Sequence, residues 1–399
     1  MELIKPDINL DFVGKRKLAF LASGLLILMT VVSLFIHGGL NQGIDFAGGI
    51  LVQVRFNEPT NAAAIKKSLK PLGMDDSTVQ SFGRERNEFL IRAEKAGLKL
   101  QGLGDRMRET MKASFPKGFE VRRVEMVGPK VGSDLRRKAL LAIFYAILLI
   151  VVYISGRFEA KWGLSAIMAA VLVGAILLVQ TIFSAAGNEN AGMVPLIITA
   201  LVVTVGACWL LRLRYALGAI VALIHDVTIT VGVFSVMGKE FTLPIVAALL
   251  TIIGYSLNDT IVVFDRIREN LKKAGRVSLA TVINDSVNQT LSRTILTSGT
   301  TLAVVAALWV LGGGVIEDFA FALLVGIIVG TYSSIFVASP ILLLLPEGKA
   351  IGAGVRKKRR AAPAAPPAPE PAKATAKKEP SVQKKSASRK RKKGGKRKK

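Results

Sequence analysis

The chain has a single cysteine, Cys208, which lies inside an apolar run. An intrachain disulfide and a cysteine-based metal centre are therefore both excluded, and the thiol is expected to pack. No nucleotide-binding glycine loop, nucleophile triad or metal-ligand cluster is found. Soluble catalysis has no support, and neither an enzyme nor a bound cofactor is expected. Acidic residues are scarce, 28 against 54 Lys and Arg, for a net charge of +26. Much of that charge is local: residues 347–399 hold 20 Lys/Arg against three Glu, leaving +9 on the other 346 residues.

Apolar sequence is abundant. Hydrophobic residues make up 51% of the 399, with a mean hydropathy of +0.45, more than a soluble domain needs and more than a disordered chain tolerates. A spanning helix requires about 20 mostly apolar residues. Eight stretches meet or approach that: 18–36, 139–154, 162–183, 193–211, 215–237, 241–264, 294–311 and 319–345. No Ala-x-Ala-like cleavage site follows the first, so it is expected to remain as an uncleaved span.

Lys and Arg in short loops set orientation. A cytoplasmic N-terminus (1–17) places four on the inside there, two in 155–161, two in 212–214, six in 265–293 and the whole tail. The opposing short loops 184–192, 238–240 and 312–318 hold only Lys239. Both termini are thus expected in the cytoplasm. Residues 38–138 carry 19 positive charges outside, but long loops translocate largely regardless of charge.

Residues 38–135 have the pattern of a small folded domain. A strand at 50–56 keeps Val52, Val54 and Phe56 on one face, and Thr60 is expected to cap a helix reaching about Leu72. Strands at 78–82 and 88–92 follow, joined by a turn at 84–87. A helix at 103–115 with Leu103, Met107 and Met111 on one side leads to a strand at 119–127. The order β-α-β-β-α-β is ferredoxin-like. The segment has no His, no Cys and no convincingly paired carboxylates, so it is expected to position or bind rather than catalyse.

The tail, 347–399, is Pro/Ala-rich and then Lys-rich, too poor in apolar residues to order itself. It can hold anionic lipid headgroups or ribosomal RNA, or serve only as a solvated, topology-fixing tail.

Ionisable residues inside spans mark pathways by default. His225 and Asp226 sit mid-span in 215–237, and Asn258 and Asp259 lie within 241–264. The next span begins at Arg293, with Thr297, Thr300 and Thr301 on the same stripe, so Arg293 starts near the depth of Asp259. A carboxyl kept from water holds its proton and releases it when a guanidinium approaches, which makes a proton switch; the alternative is a static ion pair joining two helices. His225 has the weaker claim to a direct role. Residues 265–273 and 278–292 suggest two short amphipathic cytoplasmic helices, the second capped by Ser278.

Several runs closely resemble the SecF family, the smaller subunit of the bacterial SecDF export complex in the RND superfamily. They are GIDFAGG at 43–49, ALIHD at 222–226, TIIGYSLNDTIVVFDRIREN at 251–270, residues 292–297, and GTYSSIFVASP at 330–340. The resemblance covers most of 1–345. It implies an RND-like polytopic α-helical bundle with one ferredoxin-like α+β periplasmic domain, in the bacterial inner membrane. It further implies a subunit that draws on the proton motive force, not a cofactor. Its partners would be SecD, the SecYEG translocon and unfolded preprotein, with anionic lipid or ribosome as possible tail ligands. Family members place the residues matching Asp259 and Arg293 in the proton pathway; Asp226 is added here, with His225, Asn258 and Thr297 in support. Gly43, Asp45, Gly48 and Gly49 fit a tight junction between the outer domain and the membrane.

One departure stands out: a typical SecF has six spans, whereas about 53 extra residues here follow Arg157-Phe158-Glu159 before Arg214-Tyr215. They form a two-helix hairpin, 162–211, which leaves the orientation of the remaining four spans in 215–345 unchanged. The resemblance also implies that a lone chain of this kind is half of a pseudosymmetric unit, with a second half expected. The rival to proton-coupled export is a passive anchoring factor of a translocon; a drug-efflux half fits poorly with so small an outer domain.

Overall fold

The computed structural model describes residues 9–74, 77–81, 87–93, 103–159, 162–185, 193–275 and 277–344. The basic tail, most of the 84–87 turn and the hairpin loop at 186–192 lie outside the described residues.

Helix α1 (Arg16–Ile36) leads through a short helix α2 (Ile44–Ala47) into strand β1 (Gly49–Phe56). Helix α3 (Ala62–Ser68), strands β2 (Thr78–Ser81) and β3 (Glu88–Ala93), helix α4 (Leu103–Lys112) and strand β4 (Phe119–Val127) follow. The four strands form an antiparallel sheet in the order β2-β3-β1-β4, the expected ferredoxin-like arrangement. Alternation decides the inner face: Ile50, Val52, Val54 and Phe56 are buried with Ile65 and Leu69 of the α3 segment and Met107 and Met111 of α4. The cap of α3 differs from expectation. Asn61, not Thr60, closes the first turn, accepting from Ala64 N at 2.8 Å; it sits three residues before the N–H that needs a partner.

Strand β4 passes almost directly into α5 (Pro129–Glu159), 31 residues long, so the sheet and a membrane helix share one rigid connection. Then come α6 (Trp162–Ala185), α7 (Met193–Leu210), α8 (Arg214–Val236), α9 (Leu243–Lys273), α10 (Leu279–Leu311) and α11 (Gly314–Ser333). Among the described residues six helices, α1, α5, α8, α9, α10 and the run Gly314–Ile341, are long and apolar enough to cross a membrane. The chain is a multi-pass membrane protein. Helices α6 and α7 occupy the extra stretch, and their side chains are described only in part.

The two short amphipathic helices expected at 265–273 and 278–292 are not separate elements. They are the ends of α9 and α10, which run unbroken for 31 and 33 residues. Hydropathy changes at 265 and 293, but no Gly or Pro interrupts the backbone there, so helix propagation continues. Ser278 does cap α10, accepting from Thr281 N at 3.1 Å.

The hairpin leaves and rejoins the bundle at one place. Tyr215 N donates to Glu159 Oε1 at 3.2 Å, across 56 residues of sequence. Phe158 stacks on Tyr215 at 5.1 Å, and both rings meet Phe264 at 5.8 and 5.3 Å. Helix α11 runs into a π-turn, Ser334–Ala338, followed by the short α12 (Ser339–Ile341). Within this turn Ser339 Oγ donates to the Ser334 carbonyl at 2.7 Å, and Pro340, which has no N–H to donate, follows it.

Candidate functional site

Among the described residues two carboxylates are buried in the bundle, each on its own helix. Asp226, on α8, is wholly enclosed. Its Oδ2 accepts from Ser256 Oγ of α9 at 2.5 Å and from Ser333 Oγ of α11 at 2.8 Å, while Oδ1 lies 2.9 Å from His225 Nδ1. The other ring nitrogen, Nε2, is 3.0 Å from Ser23 Oγ of α1. Ser23 in turn is 3.1 Å from Tyr332 Oη, which donates to the Ala19 carbonyl at 2.8 Å. Tyr332 stacks on the His225 ring at 5.9 Å. A continuous polar chain therefore runs from α1 to α9 through the middle of the bundle. Such chains are costly to bury and are fully satisfied here.

Asp259, on α9, is held by hydroxyls alone. Thr294 Oγ1 donates to Oδ1 at 2.6 Å and Ser334 Oγ to Oδ2 at 2.5 Å. No static pair with Arg293, the alternative to a switch, is formed: among the described residues no cation lies within 4 Å of this carboxylate, and Arg293 is exposed. The stripe Arg293, Thr297, Thr300 faces outward, while Thr294 and Ser298 turn inward. Neighbours in sequence differ by about 100° on a helix, so a rotation of one residue exchanges the two faces. Thr297 bonds its own helix at the Arg293 carbonyl, 2.9 Å, and does not reach Asp259. Asn258 is exposed, away from the cluster.

Small residues let these helices approach. A Cβ on Gly330 of α11 would sit 3.0 Å from Ser256 Cβ, and that proximity brings Ser256 and Ser333 onto one carboxylate oxygen. The hydroxyls Ser23, Ser256, Thr294, Ser333 and Ser334 were not anticipated as site residues. The pattern that contained the last two, Tyr332-Ser333-Ser334 before a Pro, was the available signal.

At the sheet end of the bundle the glycine-rich run forms the junction. Asp45 Oδ2 accepts from Leu243 N at 2.9 Å, capping α9 from another element because Thr242 makes no side-chain cap itself. Gly43 N donates to the Phe241 carbonyl at 2.9 Å, and Gln42 bridges Phe241. Gly48 has φ +77°, and a Cβ there would meet Pro129 Cα at 3.0 Å, so the turn into β1 beside α5 requires glycine. Gly49 follows at φ +119°. From the sheet, Arg92 of β3 lies 3.6 Å from Glu240 in the α8–α9 loop and donates to Asn41 Oδ1 at 3.4 Å. Burial pushes the Glu240 carboxyl above its ordinary range, with Arg92 opposing the shift.

The family described as protein export membrane protein SecD/SecF, C-terminal, matches residues 107–207 and 189–348, and the SecD/SecF GG motif matches 33–60, which includes Gly43, Asp45, Gly48 and Gly49. The chain is 44% identical over 352 residues to the protein translocase subunit SecF of Magnetococcus marinus, covering 87% of this chain and 96% of that one. Against the SecF of Vibrio alginolyticus it is 39% identical over 344 residues, covering 86% and 92%. Among solved structures, it is similar to SecDF of Thermus thermophilus, a translocon-associated membrane protein, with a TM-score of 0.65 and 32% identity. That match covers 86% of this chain but only 39% of the SecDF chain.

Proposed function

Since this chain belongs to the SecF family of protein translocase subunits, we propose that it is the SecF half of a proton-driven export machine in the bacterial inner membrane. SecD supplies the other half, and SecYEG hands over the preprotein that the sheet, on the outer side, helps to complete its crossing. Both termini are cytoplasmic. The proton motive force, not a bound cofactor, supplies the energy.

The observation that carries this reading is the setting of Asp259: a buried carboxylate held by two hydroxyls, with no cation within 4 Å among the described residues. Such a group can take up a proton without breaking an ion pair. Arg293, exposed one residue from Thr294, becomes a counter-charge when α10 turns or a partner covers that face. One charge crossing the field gains about 2.3 kcal/mol per 100 mV, so a few protons can drive a domain motion.

The same helix reaches the sheet. From Asp259 to Leu243 is sixteen residues of unbroken α9, about 24 Å at 1.5 Å per residue. At Leu243 the Asp45 cap ties α9 to the turn before β1. A shift at the carboxylate is thereby carried to the outer domain through one rigid element and one hydrogen bond.

The test is proton flux and preprotein release in proteoliposomes containing this chain with its SecD half and SecYEG. Asp259→Asn, correctly inserted, is expected to abolish the dependence of release on the proton gradient. Unchanged release would overturn the proposal in favour of a passive anchor.

A further inference from the structure

Beside the polar core lies a cavity of about 580 Å³, walled by α5, α7, α8 and α9 and by residues just after α1. That size is typical of pockets that enclose a ligand. Its lining is almost wholly apolar. On α5 the wall is a single helical stripe, Arg136, Leu140, Ile143, Phe144, Ile147 and Leu148, at spacings of three and four. Leu201 and Thr204 of α7 close the cavity from the inserted hairpin.

The stripe has a charge at one end only. Arg136 lies at the sheet end, near where α5 enters the membrane. Its neighbours Arg137 and Lys138 are both paired with Asp134, at 3.2 and 2.9 Å. Arg136 is exposed and makes no ion pair within 4 Å among the described residues. From Arg136 to Leu148 is twelve residues, about 18 Å of helix, close to the roughly 15 Å depth of one leaflet's hydrocarbon. An unneutralised guanidinium at the interface above an apolar slot one leaflet deep has the chemistry and the length of one phospholipid.

We propose that this cavity binds an anionic phospholipid of the leaflet on the sheet side, with one acyl chain between α5, α7 and α8 and its phosphate on Arg136. The inserted hairpin then has a defined task, closing the slot that the six-helix bundle leaves open to the membrane. The bound chain also borders the domain junction, because Phe46 and Phe241, 6.1 Å apart, belong to the same wall.

The test is native mass spectrometry of the full chain, titrated with phosphatidylglycerol or phosphatidylcholine of identical acyl chains. The wild type is expected to retain one phosphatidylglycerol about fivefold more tightly than phosphatidylcholine, the preference of one interfacial arginine. Arg136→Gln, a change at an exposed position, is expected to keep binding one lipid but to lose the preference. Ile143→Trp, which fills the slot, is expected to lose the retained lipid of both kinds. Equal retention of the two lipids by the wild type, or an unchanged preference in Arg136→Gln, overturns the headgroup assignment. Undiminished retention in a folded Ile143→Trp overturns the slot.

Discussion

Ser333 and Ser334 are adjacent in the chain yet donate to different carboxylates, Ser333 Oγ to Asp226 at 2.8 Å and Ser334 Oγ to Asp259 at 2.5 Å. Neighbouring side chains on a helix diverge by about 100°, so this one dipeptide touches α8 on one side and α9 on the other. The π-turn begins at the second of them, a rare widened turn of the kind found frequently at functional sites. A change of charge at either acid is therefore expected to be felt by the other through α11.

That coupling predicts non-additive mutants. Ser333→Ala and Ser334→Ala each remove one hydrogen bond to a carboxylate, worth about 1.5–3 kcal/mol when the acceptor is charged. Each is expected to lower proton-driven flux about tenfold or more. The double mutant is expected to fall short of the product of the two, because residues sharing one network do not add. Strict multiplicativity in a flux assay would show that the two acids act separately.

The junction predicts a stability effect with a conservative rescue. Asp45→Ala leaves Leu243 N without its cap, at a cost of about 1 kcal/mol, which lowers the unfolding temperature by a few degrees. Asp45→Asn keeps an acceptor oxygen and is expected to restore most of it. Thermal unfolding in a fixed lipid nanodisc measures both. Gly48→Ala is expected to be the harsher change, since φ +77° and the approach of Pro129 both oppose a side chain.

Much of this architecture is legible from residue types, and the remainder depends on helix rotation. His225, Asp226 and Asp259 stand out because ionisable groups in apolar runs are costly. Ser23, Ser256, Ser333 and Ser334 do not, because hydroxyls in helices commonly bond their own backbone, as Thr297 does here. Periodicity puts Arg293 and Thr297 on one face and Thr294 and Ser298 on another. Only packing against α9 and α11 selects the second as the inner face. The ends of α9 and α10 misled for a different reason: hydropathy reports the membrane boundary, whereas helix continuity follows the backbone.

Glu240 predicts a pH dependence. Its carboxyl is raised by burial above its ordinary value of 4.5, so the folded protein favours the protonated form more than the unfolded chain does. The stability this contributes is fully present below the ordinary value and is lost as the pH rises through the raised one. Wild-type protein is therefore expected to lose stability relative to Glu240→Gln over that window, and the variant to be at least as stable at neutral pH. Arg92→Gln, which removes the opposing cation 3.6 Å away, is expected to steepen the loss. Unfolding temperatures between pH 4 and 8 give the comparison.

Excising the hairpin is the sharpest structural test. Glu159 and Tyr215 are already hydrogen-bonded at 3.2 Å, and Phe158 is stacked on Tyr215, so a short linker replacing 160–212 need not move either neighbour. Arg157 also stays anchored, to Asp265 at 2.6 Å and through its carbonyl to Arg268 at 3.0 Å. Removing α7 takes Cys208 from the core and bares faces of α5 and α8, but lipid tails are as apolar as the side chains they replace, so exposure there carries little hydrophobic cost. The shortened chain is expected to insert, to assemble and to unfold within a few degrees of the full one. It is expected to lose the retained phosphatidylglycerol, because Leu201 and Thr204 no longer close the slot. Failure to insert would show instead that the extra helices are part of the bundle's own support. Intact lipid retention in an inserted, shortened chain would show that α5 and α8 hold the acyl chain without them.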